Sequence, residues 1–321
     1  MTTLQPRIVA LRESLASSIV GQHALLDRLV IGLLCGGHVL VEGLPGLAKT
    51  TAVKALAGSV HARFRRIQFT PDLLPGDLTG TDIYDARRGD FHFMPGPLFN
   101  DIVLADEINR APAKVQSALL EAMQERQVTV GGETRPLPPL FMVMATQNPI
   151  EQAGTYPLPQ AQLDRFMLHV RLDYPSEAEE IEILRRDRNA HRSPANTTPD
   201  QGIGIEDVLS ARDEVRRIHV APAIEDYIVA LVRATREPGR WREQWARVVE
   251  CGASPRASLA LSHAACALAY LRGRDHVVPD DVQALAADVL RHRMSLHVEA
   301  RLERLDPDQV IAGLLEAVPA P

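Results

Sequence analysis

The eight residues Gly43-Leu44-Pro45-Gly46-Leu47-Ala48-Lys49-Thr50 constrain this chain more than any other stretch of it. They follow an apolar run, His38-Val39-Leu40-Val41, and precede a helical pattern over Thr51–Ala57. A glycine-rich turn between strand and helix aims backbone N–H groups and a helix N-terminus at one point, the arrangement that holds a phosphate. In that setting Lys49 reaches the β- and γ-phosphates of ATP, the Thr50 hydroxyl coordinates Mg2+, and Thr51 lies near the α-phosphate. One position departs from the general pattern: Ala48 stands where glycine usually precedes the lysine. The plainer reading is a Gly/Pro turn, which Lys-Thr at this offset makes a poor description.

Up to about Asp173, short apolar runs alternate with helical patterns. The runs are His38–Val41, Arg66-Ile67-Gln68-Phe69, Ile102-Val103-Leu104-Ala105, Phe141-Met142-Val143-Met144-Ala145 and Met167-Leu168-His169-Val170. Near-continuous hydrophobicity suits strands buried on both faces, and alternation with helices implies a parallel sheet with right-handed crossovers. Ligands of such sheets bind at the carboxyl ends of the strands. After Tyr174-Pro175 the strand patterns stop. Ser176 caps a helix with acids in its first turn, Arg192 to Gly204 reads as a loop, and helices follow at Ile205–His219, Ala223–Thr235, Arg256–Arg272 and Asp280–His292. The expectation is an α/β, parallel-sheet P-loop NTPase core over residues 1–173 and a small all-α domain over 174–321. Two pieces of the core read as insertions: about 77–98, with a hairpin-like alternation around Tyr84–Phe91, and about 127–139, with two short strands around Gly131-Gly132.

Further candidate residues sit beyond strand ends. Ile102–Ala105 runs into Asp106-Glu107; Asp106 would hold Mg2+ through water and Glu107 would polarise an attacking water. A lone Asp-Glu is more commonly a helix cap, but here a phosphate loop precedes it in the same sheet. Asn148, after the next strand, can orient that water or be a turn residue before Pro149. Arg165, in Leu163-Asp164-Arg165-Phe166, reads on charge alone as a structural ion-pairing residue. Ser254 and Pro255 open a helix, and Arg256 there either reaches a γ-phosphate or is a solvated charge.

The formal net charge of -6 argues against a dedicated nucleic-acid binder, which usually carries a basic face. Aromatics make up only 4%, so aliphatic side chains must build the core. Cys35, Cys251 and Cys266 show neither metal-ligand spacing nor an even-numbered disulfide framework. The start Met1-Thr2-Thr3-Leu4-Gln5-Pro6 lacks a signal-peptide pattern, and no apolar run reaches membrane-spanning length; the longest, Leu29–Cys35, reads as a buried helix. A cytoplasmic protein with no membrane span is expected.

In these motifs the chain resembles the AAA+ ATPases, and among them the MoxR family. The matching segments are Val20-Gly21-Gln22, Glu42 to Thr50, Gln68-Phe69-Thr70-Pro71-Asp72-Leu73-Leu74-Pro75, Gly96-Pro97-Leu98-Phe99 and Asp106-Glu107-Ile108-Asn109-Arg110-Ala111-Pro112. They continue through Leu119-Leu120-Glu121-Ala122-Met123, Ala145-Thr146-Gln147-Asn148-Pro149, Gln162-Leu163-Asp164-Arg165-Phe166 and Gly252-Ala253-Ser254-Pro255-Arg256-Ala257. The resemblance implies that Ala48 is normal at its position and that Val20-Gly21-Gln22 lies near the adenine. It implies Asn148 as sensor 1, Arg256 as sensor 2 in a helical lid, and Arg165 as an arginine finger acting on nucleotide in a neighbouring subunit. Such fingers are worth ~10³–10⁵ in rate in other phosphoryl-transfer systems. A homo-oligomer, a hexameric ring, is then expected. The insertions correspond to the helix-2 insert and the pre-sensor-1 hairpin, which in relatives face the ring pore or a partner. The charged segment Glu237–Glu250, with Trp241 and Trp245, is longer than such lids suggest and reads as a solvated amphipathic helix, with a partner surface as the sharper alternative.

The leading expectation is an ATPase that remodels or matures a client protein together with a von Willebrand factor A domain partner. Two alternatives stand beside it: a nucleotide-switched binding scaffold with negligible hydrolysis, and a magnesium chelatase-like ATPase subunit. The identity of the client is not legible in the residues.

Overall fold

The computed structural model describes residues 3–87, 89–148, 155–192 and 202–321. Most of the loop expected at Arg192–Gly204, Arg88 of the first insertion, and Pro149 lie outside the described residues.

Five strands form the central sheet: β1 Val39–Glu42, β2 Phe64–Gln68, β3 Ile102–Asp106, β4 Met142–Gln147 and β5 Leu168–Arg171. Their order is β2-β3-β4-β1-β5. The pairings β2–β3, β3–β4 and β4–β1 are parallel, as the alternation with helices predicts. Val39 to Val41, Ile102 to Ala105 and Met142 to Ala145 are fully buried, which is why these runs lack a polar alternation. β2 lies at a sheet edge and carries the exposed Arg65 and Arg66, charges of the kind that discourage edge-to-edge pairing. The registers place Gln68 opposite Asp106, and Glu42 opposite Gln147. The carboxyl ends of four strands thereby share one edge of the sheet.

The two insertions are separate antiparallel hairpins outside the main sheet. Gly80–Asp85 pairs with Asp90–Pro95, and Gln127–Val130 pairs with Glu133–Pro136. Gly131 and Gly132 have φ of 61° and 83°, the left-handed pair that a two-residue hairpin turn requires. The apolar run Leu29–Cys35 lies within the helix His23–Cys35, with Leu29, Val30, Ile31, Leu33 and Leu34 buried.

By its internal contacts the chain separates into two compact units. The first runs through Pro157 and takes in Val170–Ser210; the second comprises Leu158–His169 and Ala211–Pro321. The expected boundary at 173/174 thus falls inside a stretch that groups with the first unit. The second unit is mainly helical, with helices Pro222–Ala234, Pro255–Leu271, Pro279–Leu290 and Pro307–Ala317. It also holds a small antiparallel ribbon, Val249–Cys251 with Ser295–Leu296, which an all-helical expectation misses. The segment Glu237–Glu250 is not an amphipathic helix. It forms 3₁₀ turns at Pro238–Arg240 and Glu243–Trp245 that lead into the ribbon. Trp245 is buried there, against Gly313 of the last helix: a Cβ on Gly313 would lie 1.9 Å from the Trp245 ring.

Candidate functional site

β1 ends at Glu42 and the helix Lys49–Ser59 begins seven residues later, so Gly43–Ala48 must turn the chain in little space. The Gly43 N–H donates to the Gln147 carbonyl at 3.3 Å, tying the loop to β4. A Cβ on Gly43 would meet the Leu172 side chain at 2.9 Å, so the loop needs glycine there. Ala48 adopts the left-handed conformation, φ 54° and ψ 18°, as the N-cap of the helix and supplies no side-chain cap. The first N–H groups of the helix therefore lack an intrahelical or capping partner and remain available to an anion. Lys49 Nζ donates to the Gly43 carbonyl at 2.6 Å, which folds the ammonium over the loop. Burial lowers the Lys49 pKa, and the charges of Asp106 and Glu107 act in the opposite direction.

Around this loop lies a cavity of about 410 Å³. It is lined by Gly43, Pro45 to Thr51, Asp106, Glu107 and Asn148, together with Arg66, Gln68, Thr146 and Gln147. One cavity thus gathers the phosphate loop, the paired acids and the strand-end asparagine picked out in the sequence. Leu44 is not among its lining residues, nor are Val20, Gly21 and Gln22. Gly21 instead faces Pro175 and Glu179, at 3.2 and 3.3 Å from the position of a Cβ.

The two acids are held by a network that spans three strands. Thr146 Oγ donates to Asp106 Oδ1 at 2.6 Å and accepts from the Glu107 N–H at 2.9 Å. Arg66 donates twice to Asp106 Oδ2, from Nη2 at 2.6 Å and from Nε at 3.0 Å. Gln68 Nε2 donates to Glu107 Oε2 at 2.9 Å, and Arg110 pairs with the same oxygen at 3.1 Å. Glu107 has φ 57° and ψ 50°, a left-handed conformation that costs a non-glycine residue about 1 kcal/mol or more. The bond from its N–H to Thr146 holds it there. Arg66, Gln68, Thr146 and Arg110 carry no role in the sequence reading. The available signal is positional: Arg66 and Gln68 are two apart on β2 and share a face.

The donor set suits Mg2+. Thr50 and Asp106 offer hard oxygen ligands at the cavity wall, and no cluster of three or more His, Cys, Asp or Glu able to hold a metal occurs among the described residues. Mg2+ is commonly bound through one or two protein oxygens and substrate phosphates rather than in a protein cage.

Residues 38–168 match the model of the ATPase family associated with various cellular activities (AAA), and residues 246–313 match that of the AAA lid domain. Chaperone MoxR1 of Mycobacterium tuberculosis is 49% identical over 310 residues, which cover 94% of this chain and 79% of that protein. The chain belongs to the MoxR family of AAA+ ATPases. The uncharacterised protein YeaC of Bacillus subtilis is 46% identical over 99% of this chain and 96% of its own length. A solved structure from Cytophaga hutchinsonii, described as a candidate ATPase, superimposes with a TM-score of 0.91 at 45% identity, covering 99% of this chain and 96% of that one.

Two further MoxR-motif residues belong to the second unit. Arg165 is half-buried in the stretch Leu158–His169. Arg256 is exposed in the first turn of the helix Pro255–Leu271, whose N-cap is Ser254.

Proposed function

We propose that this MoxR-family chain binds ATP with Mg2+, hydrolyses it, and uses the cycle to remodel or mature a client protein. The observation that carries the reading is the convergence of Lys49, Thr50, Asp106, Glu107 and Asn148 on one cavity at the carboxyl ends of parallel strands. Backbone N–H groups of the loop and of the helix start bind the phosphates, and Lys49 neutralises their charge. Thr50 directly and Asp106 through water would hold Mg2+, which would supply further charge neutralisation at the transferring phosphoryl group. Glu107 accepts a proton from the attacking water, and Asn148 orients that water. Arg256 contacts the γ-phosphate of its own subunit, and Arg165 acts on nucleotide in a neighbour, so turnover rises with protein concentration in a homo-oligomeric, hexameric ring.

The chaperone name of the M. tuberculosis relative supports a protein client. A von Willebrand factor A domain protein is the expected partner. The exposed Tyr84 and Phe91 of the first hairpin, 55% and 70% accessible, offer a surface for the client. No helix among the described residues is long and apolar enough to cross a membrane, and the free Cys251, which is exposed, suits a reducing compartment such as the cytoplasm.

The test is phosphate release by Glu107→Gln. Turnover should fall by about 10²–10⁴ while ATP binding is retained; unchanged turnover would remove Glu107 as the base. One observation favours a second reading, a nucleotide-switched scaffold: Gln68 and Arg110 both engage the Glu107 carboxylate. Negligible phosphate release by the parent protein at ring-forming concentration would select it.

A further inference from the structure

The two arginines that the proposed function assigns to the γ-phosphate and to the neighbouring subunit are tied to each other through one carboxylate. Asp164 immediately precedes Arg165. Its Oδ2 accepts a hydrogen bond from Ser254 Oγ at 2.9 Å, and its Oδ1 accepts one from Arg293 Nε at 2.7 Å. Ser254 in turn accepts from the Arg256 N–H at 3.2 Å as the N-cap of the helix Pro255–Leu271. A single hydroxyl thus donates to the residue before Arg165 and accepts from the backbone of Arg256.

The segment carrying Arg165 is also gripped along its backbone. Arg293, with only 3% of its side chain exposed, donates to the carbonyls of Phe166 at 2.6 Å and Met167 at 3.2 Å. The His292 ring donates from Nε2 to the Phe166 carbonyl at 3.0 Å, and Arg291 donates to the His169 carbonyl. All of these residues lie in the second unit. Helix capping requires of Ser254 only an acceptor, and Arg293 requires of Asp164 only a counter-charge. The donation from Ser254 to Asp164 is needed by neither, and it joins the two arginine-bearing segments.

We propose that Asp164 and Ser254 are positioning residues that make Arg165 and Arg256 one rigid element. The charge a subunit offers its neighbour's nucleotide then moves together with the charge it offers its own. This inference rests on the assignments of Arg165 and Arg256 made above.

The experiment uses the full chain and measures phosphate release at saturating ATP across protein concentration. Ser254→Gly removes the hydroxyl while keeping a residue that serves nearly as well at a helix N-cap. It should lower maximal turnover about tenfold, as expected when a reacting charge is misplaced, and Ser254→Thr should restore it. In an Arg165→Ala background the same change should cost clearly less than tenfold, because one of the two groups it positions is gone. Ser254→Ala is read alongside, in case the glycine variant melts below the assay temperature. Parental turnover in Ser254→Gly, or a tenfold loss undiminished by Arg165→Ala, overturns the link. Parental turnover in Arg165→Ala itself overturns the finger assignment and the link with it, and leaves the outcome for Glu107→Gln standing.

Discussion

Two residues near the cavity, Ala48 and Glu107, hold left-handed backbone conformations with φ of 54° and 57°. Ala48 occupies the position before the lysine where the general phosphate-loop pattern has glycine, and its φ shows the physical reason for that preference. Ala48→Gly should therefore keep stability within about 1 kcal/mol in urea unfolding, since relief of strain offsets the entropy of glycine in the unfolded chain. A larger loss would contradict the left-handed assignment. Glu107 is held by Thr146, whose hydroxyl also bridges to Asp106. Thr146→Val keeps the shape and deletes both bonds. It should cost about 1–3 kcal/mol of stability and lower turnover about tenfold or more, because each acid loses one of the bonds that fix it. Normal turnover in that variant would show that the acids need no such bridge. Lys49 was legible in the chain from the Gly/Pro turn before it and the threonine after it, and Asp106 and Glu107 because they end a strand. Arg66 and Thr146 were not, because their meeting at Asp106 depends on strand register across 40 residues.

Among the elements, the strands followed their hydrophobic runs closely. β2 begins two residues before its expected run, because the edge strand pairs through Phe64 and Arg65 with Ile102 and Val103 whatever their polarity. The segment Glu237–Glu250 went the other way. Its charges suggested a solvated helix, but Pro238 and Gly239 suit short turns, and Trp245 is spent on the interior against Gly313. Arg242 covers that ring at 4.9 Å and pairs with Glu316 at 2.5 Å. Gly313→Ala should destabilise the protein by about 1–3 kcal/mol through overpacking, read as a lower urea midpoint. An unchanged midpoint would place the Trp245 ring elsewhere. Such a packing partner is invisible in sequence, since nothing local to Gly313 marks a tryptophan 68 positions away.

On the scale of the whole molecule, the chain leaves its first unit at Leu158, returns at Val170 and leaves again at Ala211. The second unit buries Arg291, His292 and Arg293 in succession. Burial, then the charges of Arg293 and His169, push the His292 pKa well below its ordinary value. A depressed folded-state pKa contributes stability that is present above the unfolded pKa and lost as pH falls beneath it. The melting temperature should therefore drop between about pH 7.5 and pH 5, either side of the unfolded histidine value, and His292→Gln should flatten the drop. An identical slope in the variant would assign the acid sensitivity to other groups. By itself the sequence determined the phosphate loop, the paired acids, the parallel core and the helical second half. Those features are written in patterns a few residues long, repeated at strand and helix spacing. Only the tertiary structure decided which side chains hold the acids, that Leu158–His169 groups with the second unit, and that Asp164 bonds the start of the helix bearing Arg256. Apart from Arg110, three positions from Glu107, these are contacts between residues 39 to 129 positions apart, set by register and by the burial of charge.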